Sequence, residues 1–473
     1  MNTNDTGHFD IRACYDWPGD AVTPMEHQIE TAAFLVEHKR ALCLNAPGTG
    51  KTLSALWAAD FLMEQGLIEK VLVVAPLSTL VPVWRNELVR HFPQHPVVVL
   101  IGTQERRKNI LRKSDHKFAL INHDGFTLLN EEFADYGLII YDEATAIKSP
   151  YSKRFHTLYR HANKYMPRIW LMTGTPISQH PTNSWTLARI VDSPNVPSSY
   201  SRYKEVVMRY EYQYGNTYRW VPAPAAAEIC KYVLQPSICY SLDQCLDLPE
   251  MSYINRECWL SDEQRQLFRE MCNTAIISRC EISAANPALI HAKLLQICCG
   301  AAYDKHGEVV KFDVEDRLDS LHELIEEVGD KVIVYVPFRG VQELLEGELA
   351  KRGFDVASVH GDVPLRTRDQ IFNAFQNTER YQVLLAHPGV ASHGLTLTRS
   401  RDVIWYAPIY SFEQYEQANA RIRRISTRDK TRVFNISATA FEGGLYRRLR
   451  ERKLLLDDLL ELLRKEISVP MGR

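Results

Sequence analysis

Between Asn45 and Thr52 the chain reads NAPGTGKT, with Gly48 and Gly50 alternating ahead of a lysine and a threonine. Glycines at that spacing let successive backbone N–H groups turn to one side and form an anion nest, and the positive end of a following helix reinforces it. Lys51 then has the reach for β- and γ-phosphates, and the Thr52 hydroxyl can ligate Mg²⁺. Pro47, Gly48, Thr49, Gly50, Lys51 and Thr52 are therefore the expected nucleotide-binding residues, the alternative being an incidental glycine turn. The strict GxxxxGK[ST] pattern fails at one position, where Asn45 replaces the first glycine. The flanks still meet the mechanism's needs: ALCLNA before the loop is an apolar run, and SALWAADFL after it has helical spacing.

Hydrolysis asks for a metal ligand and a group that positions water, both on a neighbouring strand end. GLIIYDEATAIK closes an apolar run with Asp142 and Glu143. Such a pair is ordinarily surface charge, but downstream of a phosphate loop Asp142 is expected to hold the Mg²⁺ water shell and Glu143 to polarise the attacking water. Far along the chain, YEQANARIRRI places Arg421 and Arg424 three residues apart, on one face if the segment is helical. Two guanidiniums meeting the phosphate loop from a second lobe would stabilise charge on the γ-phosphate, an effect on the order of 10³ to 10⁵ in rate. The plainer reading of the same residues is a solvated basic helix.

The elements that must carry these groups are legible as unalternating apolar runs, each followed by a loop and a helical pattern. ALCLNA, VLVVAP, FALIN, GLIIYDEA and RIWLMTGTP form one set, and KVIVYVP, DVASVHG, YQVLLAHPG, DVIWYAP and TRVFNI a second. Runs of this kind belong to parallel sheets covered on both faces, so the expected class is α/β with two blocks. The expected divisions are 1–195, an ATP-binding block; 196–310, a mainly helical insertion and linker; 311–440, a second block; and 441–473, an amphipathic C-terminal helix with leucines at three- and four-residue spacing. The aromatic stretch MRYEYQYGNTYRW lies in the insertion and is either packing material or a stacking surface.

Composition bounds the rest. With 473 residues, 45% hydrophobic and 24% charged, the chain can bury two or three cores. A net charge of −2 gives no overall attraction to nucleic acid, so any such site must rest on local charge, for which the arginine-rich 421–453 stretch is a source. The ten scattered cysteines form no metal knuckle and are expected as buried, reduced thiols. No signal-like start and no membrane-length apolar window occurs, which fits a soluble intracellular protein.

Taken in order, Glu26-His27-Gln28, NAPGTGKT, APLSTL with Trp84 and Glu87, YDEATAIK, LMTGTPIS, KVIVYVPF, HGDVPLRTRDQIFNAF, ASHGLTLT and QANARIRRI resemble superfamily 2 helicases. Their spelling is similar to the Snf2-like branch; LPEMSYINRECWLSDEQRQLF and RERKLLLDDLLELL extend the likeness, which runs from Pro24 to Leu463. The compact chain also resembles members of that branch encoded by tailed bacteriophages. The resemblance implies two tandem RecA-like lobes and ATP with Mg²⁺ as the nucleotide. Gln28 would read the adenine edge, and a guanine-reading NKxD is missing because Met166 follows Asn163-Lys164-Tyr165. Ser78, Asn122, Phe338 and Thr398 would track a nucleic-acid backbone, Thr173 and Thr175 would couple that track to the nucleotide, and Gln417 would order the ATP site beside Arg421 and Arg424. The chain departs from the pattern at Asn45, usually an acid; at Cys239-Tyr240, usually two arginines; at Arg423, usually a histidine; and at Ser426-Thr427, usually Gly-Gln. The activity implied is that of a monomeric DNA-dependent ATPase of a bacterial or phage-infected cytoplasm, one that translocates and remodels or unwinds branched DNA. An RNA helicase of the same superfamily and an ATP-gated clamp without strand work are the alternatives.

Overall fold

The structure is a computed structural model that describes residues 11, 14–17, 23–177, 180–213, 217–245, 251–277, 280, 282–284, 287–391, 397, 399–422 and 431–467. Thr398, Arg424 and the departures at Arg423 and Ser426-Thr427 lie outside the described residues. The chain divides into two compact units, Met1–Asp247 with Arg452–Arg473, and Leu248–Glu451.

The first unit is built on a seven-stranded sheet. Its strands are β1 (Arg40–Cys43), β2 (Val71–Ala75), β3 (Val97–Leu100), β4 (Phe118–Asn122), β5 (Leu138–Asp142), β6 (Arg168–Met172) and β9 (Ser237–Ile238). They lie in the order β3-β4-β2-β5-β6-β1-β9, and every pairing is parallel, as in Val71↔Leu138 and Ala41↔Trp170. All five residues of β2 are buried, as are the first four of β5. Helices on both faces explain why these strands read as continuous apolar runs. Helix α1 (Glu26–Glu37) and helix α2 (Lys51–Glu64) pack beside the sheet, and α2 is buried without a break from Ser54 to Leu62. Trp57, Phe61 and Leu62 of α2 sit in one core with Trp84, Phe118 and Trp170. The unit also carries an antiparallel hairpin of β7 (Met208–Gln213) and β8 (Thr217–Pro222).

The second unit has a six-stranded sheet in the order β10-β19-β18-β15-β17-β16, again parallel throughout. Its strands are β10 (Met251–Glu257), β15 (Val332–Tyr335), β16 (Val356–Val359), β17 (Val383–Ala386), β18 (Asp402–Trp405) and β19 (Thr431–Ser437). Two short antiparallel pairs, β11 (Ile276–Ile277) with β12 (Ile282–Ser283) and β13 (Ala301–Tyr303) with β14 (Val309–Lys311), complete the list of its strands among the described residues. Its interior holds an ion pair: Arg317 Nη2 and Glu442 Oε1 are 2.8 Å apart, with side chains 1% and 0% exposed. Arg317 also donates to the carbonyls of Cys298, Tyr406 and Ile436, while Glu442 accepts from Ala438 N and Thr439 Oγ1. Burying a charge in this way is sustainable because both terminal guanidinium nitrogens and both carboxylate oxygens find partners, while Arg317 Nε is left without one.

Both expected sets of strands are present, and the α/β class with two parallel sheets holds. Segment 196–310 is more than the expected helical insertion: beside helices such as Tyr200–Val207, Asp262–Thr274 and Pro287–Cys298 it supplies β9 to one sheet, β10 to the other, and the β7–β8 hairpin. β9 has only two residues, and β10, MSYINRE, lies at a sheet edge with none of its residues buried, so neither produces the buried run by which the other strands are legible. The last helix runs Ala440–Ile467, and no described helix is long and apolar enough to cross a membrane. All ten cysteines are free thiols, though Cys14 and Cys272 are exposed rather than buried.

Candidate nucleotide site

The residues expected to do chemistry in the first unit gather at the carboxyl ends of its parallel strands, the edge at which open α/β sheets bind ligands. The loop 44–50 follows β1, Ser78 lies in the turn after β2, Asn122 ends β4, Asp142 ends β5, and Thr173 and Thr175 follow β6.

Gly48 and Gly50 both have positive φ, 90° and 82°, where a side chain would be strained. Gly50 is also the residue that caps α2, so the loop delivers its backbone N–H groups straight into the helix start. The loop is braced from three directions. Thr49 Oγ1 donates to Ala46 O at 2.8 Å. The Thr49 carbonyl accepts from His27 Nε2 at 2.9 Å and from Gln28 Nε2 at 3.3 Å, both on α1. Segment 236–240 continues the β1–β9 pairing into the loop, with Ala46 N donating to Tyr240 O at 2.8 Å.

That third brace explains Asn45. Its Oδ1 accepts from Tyr240 N at 2.9 Å, and its Nδ2 donates to Thr31 Oγ1 at 2.8 Å. A glycine there would leave Tyr240 N without this acceptor and remove the link to Thr31, whose hydroxyl would keep only its bond to His27 O, so the departure from the strict loop pattern ties the loop to α1 and to the segment after β9. Lys51 Nζ donates to the Asn45 carbonyl at 2.7 Å, folded back over the nest it is expected to serve. Burial pushes the Cys43 thiol, at the end of β1, up to about 11, although the Lys51 charge opposes the shift.

Asp142 is held as an acceptor on both oxygens. Trp84 Nε1 donates to Oδ2 at 3.0 Å, and Glu143 N donates to Oδ1 at 2.9 Å. His123 Nε2 lies 2.9 Å from the Asp142 carbonyl, which can only accept, so the ring carries its proton there. Burial lowers the His123 pKa and keeps the ring neutral. Glu143 has φ 49° and ψ 58°, a left-handed conformation that costs a non-glycine residue about 1–2 kcal/mol. Strain of this sort is retained where surrounding structure imposes it and concentrates at functional sites. The β6 loop closes on the same place: Thr175 N donates to Thr173 Oγ1 at 3.1 Å, Thr173 N donates to Cys43 O at 3.0 Å, and a Cβ on Gly174 would lie 2.9 Å from Pro47 Cδ. The nest with Lys51 is suited by its chemistry to phosphate oxygens, and Thr52 with Asp142 would be the oxygen donors for a Mg²⁺ ion. Among the described residues no cluster of three or more His, Cys, Asp or Glu forms a self-sufficient metal site.

In the second unit Phe338 precedes the helix Arg339–Lys351 at the carboxyl end of β15 and is partly buried against the core. Gln417 is buried on the helix Phe412–Asn419, which is fixed to three strands: Tyr335 OH donates to Ala418 O at 2.8 Å, Trp405 Nε1 to Asn419 Oδ1 at 2.9 Å, and Tyr415 OH to Asn435 Oδ1 at 3.2 Å. This helix ends at Asn419, so the expected helical placement of Arg421 is corrected. The Asn419 side chain is engaged by Trp405, and Arg421 N bonds back to Ala418 O at 3.2 Å, a turn rather than a helical step. Arg421 is 9% exposed, and its partner in the expected pair, Arg424, lies outside the described residues.

Sequence reasoning named the loop, the acidic pair and Gln28, which the structure brings to one end of the sheet, but gave no task to His27, Trp84, His123 or Tyr240. Trp84 and Asp142 are 58 positions apart. No local spacing joins such residues, and the one available cue is that Trp84, His123 and Asp142 each follow an apolar run.

Residues 27–300 match the SNF2-related domain and residues 316–426 the helicase conserved C-terminal domain. The chain is 23% identical over 464 residues to the CHD3-type chromatin-remodeling factor PICKLE of Arabidopsis thaliana, a match covering 87% of this chain and 32% of that protein. It is 22% identical over 431 residues to the ATP-dependent DNA helicase DDM1 of the same plant, covering 82% of this chain and 55% of the relative. The chain thus spans from about a third to a little over half of these curated relatives. Among solved structures, the Sulfolobus solfataricus SWI2/SNF2 ATPase core in complex with dsDNA is 20% identical, with 96% of this chain and 97% of that chain covered at a TM-score of 0.44.

Proposed function

We propose that this chain, which belongs to the SNF2-related family and carries a helicase conserved C-terminal domain in its second half, is an ATP-driven DNA translocase that remodels or unwinds branched DNA during replication, recombination or repair. The observation that carries the reading is the pairing of a braced glycine nest with a two-donor carboxylate at the end of a neighbouring strand. Such a pairing serves phosphoryl transfer, where catalysis consists of positioning and charge stabilisation.

In this reading Gln28 meets the adenine edge, the backbone from Gly48 to Thr52 holds the phosphates, and Lys51 exchanges the Asn45 carbonyl for phosphate oxygens. Thr52 and Asp142 would hold Mg²⁺, whose charge would offset that of the phosphates. Trp84 and the Glu143 amide keep the Asp142 carboxylate aimed, and Glu143 orients water. Gln417, Arg421 and Arg424 serve turnover rather than nucleotide binding. Ser78, Asn122, Phe338 and Thr398 contact the DNA backbone, which makes binding independent of sequence and sensitive to salt. Thr173 and Thr175, through the close approach of Gly174 to Pro47, pass the state of the phosphate loop to that track.

The test compares ATP hydrolysis on single-stranded DNA, duplex, fork, four-way junction and RNA. Stimulation by branched DNA is expected, with added salt removing the stimulation before the basal rate. Lys51→Ala should lose nucleotide binding, while Arg421→Ala should keep it and lose turnover by about 10³. Stimulation by RNA alone, or undiminished turnover in Arg421→Ala, overturns the assignment.

A further inference from the structure

The β7–β8 hairpin leaves three of the four aromatic rings on its described strands exposed. Register sets Tyr210 opposite Trp220 and Tyr212 opposite Tyr218, so all four rings share one face of the ribbon. Tyr210, Tyr212 and Tyr218 are 62%, 59% and 67% exposed. The hairpin is anchored at its base instead, where Met208 and Val221 are buried. Tyr210 and Trp220 lie with centroids 3.8 Å apart, and Tyr212 and Tyr218 meet edge to face at 5.6 Å. The result is a row of three exposed tyrosine rings standing on a half-buried Trp220.

Positive charge surrounds that row. Lys204 Nζ lies 4.2 Å from the centroid of the Trp220 ring. Arg209 and Arg219 alternate with the rings on the ribbon's other face, opposed by Glu211, which is 4.0 Å from Arg209. His180, at the foot of this region, has its pKa lowered by burial and further by Arg452, Arg219 and Lys204, with no acid among the groups acting on it. Three cations therefore act on this one ring, a local concentration of positive charge in a chain that carries −2 overall.

We propose that the face formed by the exposed Tyr210, Tyr212 and Tyr218 with Trp220 beneath them, with Lys204 against Trp220 and Arg219 on the ribbon's reverse, is a stacking platform for unpaired DNA bases. Aromatic faces accept any base, and neighbouring cations hold the backbone, the combination used for single strands irrespective of sequence. A duplex offers no free base faces to such a row, so the platform distinguishes the open arm of a branch from paired DNA. The inference deepens the motor reading and takes the nature of its ligand from it. The hairpin connection, residues 214–216, lies outside the described residues and forms no part of the platform.

The experiment measures binding of the full chain, without nucleotide, to a labelled oligo(dT) of about 16 nucleotides, to a fork and to a blunt duplex. Tyr212→Ala/Tyr218→Ala and, separately, Trp220→Ala should bind oligo(dT) and fork roughly 5- to 150-fold more weakly for each base unstacked. Duplex binding and duplex-stimulated hydrolysis should hold. Tyr212→Phe/Tyr218→Phe retains both ring faces and should bind like the parent, which separates stacking from any loss of hairpin fold. Parental oligo(dT) affinity in both alanine variants overturns the proposal, as does an equal loss on duplex. An inactive parent ATPase would instead sink the motor reading while leaving this binding comparison intact.

Discussion

Replacing Gly50 by alanine sets a methyl group where the backbone has φ 82° and where the added Cβ would lie 2.0 Å from Gln28 Nε2. The left-handed conformation costs alanine about 1–2 kcal/mol. The collision is with the tip of a flexible side chain, so Gln28 swings away rather than the loop breaking. What it then loses is two hydrogen bonds, Nε2 to Thr49 O at 3.3 Å and Met25 N to Oε1 at 3.0 Å, each worth a net of about 0.5–1.5 kcal/mol. The Thr49 carbonyl keeps His27 as a donor, so no buried acceptor is stranded. Gly50→Ala should therefore destabilise the first unit by about 2–5 kcal/mol. Gln28→Ala in that background should add almost nothing, giving a coupling of about 1–3 kcal/mol between the two positions. Urea unfolding of the two single variants and the double variant, followed by tryptophan fluorescence, measures the cycle, because Trp57, Trp84 and Trp170 are buried in that unit's core. Binding of a fluorescent ATP analogue against its GTP counterpart reads the functional side: Gly50→Ala should weaken both and erase the preference for adenine. Strict additivity of the two substitutions, or a Gly50→Ala protein as stable as the parent, refutes the geometry from which the argument starts.

Two further outcomes follow from buried groups. Glu442→Ala strands the Arg317 guanidinium inside the second unit and should cost about 3–5 kcal/mol, whereas Arg317→Met/Glu442→Leu should regain most of it, as urea midpoints will show. His161 is 2% exposed, and burial lowers its pKa to about 4 from an ordinary 6.5. Between those values the unfolded chain binds the proton that the folded one refuses, so stability should fall as pH drops from 6.5 toward 4. The slope should shrink in His161→Phe; an identical pH profile for that variant would show that the ring is not the group responsible.

Much of the architecture was legible because buried parallel strands have no wet face. VLVVA and VIVY are apolar at every position, and no other common element of that length shows the same pattern between helical segments. β3 carried the same signal in its three valines, yet it stands at the sheet's edge with three of four residues only half-buried and was not among the expected strands. The phosphate loop was legible for a related reason, since its chemistry is local: glycines, lysine and threonine act within one turn of backbone. The shared face weighed for Arg421 and Arg424 depended on a helix, and the described helix stops at Asn419, where Trp405 meets the Asn419 side chain across fourteen positions, a contact that no spacing rule contains.

The sequence by itself determined which segments lie buried as parallel strands, where an anion nest forms and which acids end a strand beside it, because burial and backbone freedom are written in neighbouring residue types. Only the tertiary structure decided that Asn45 joins α1 to Tyr240, that Trp84 aims Asp142, that Gln28 lies against Gly50, and that the tyrosines of the hairpin face water. Each of those depends on side chains brought together by the order of strands in a sheet. That order follows from the packing of whole elements rather than from the sequence local to any one of them.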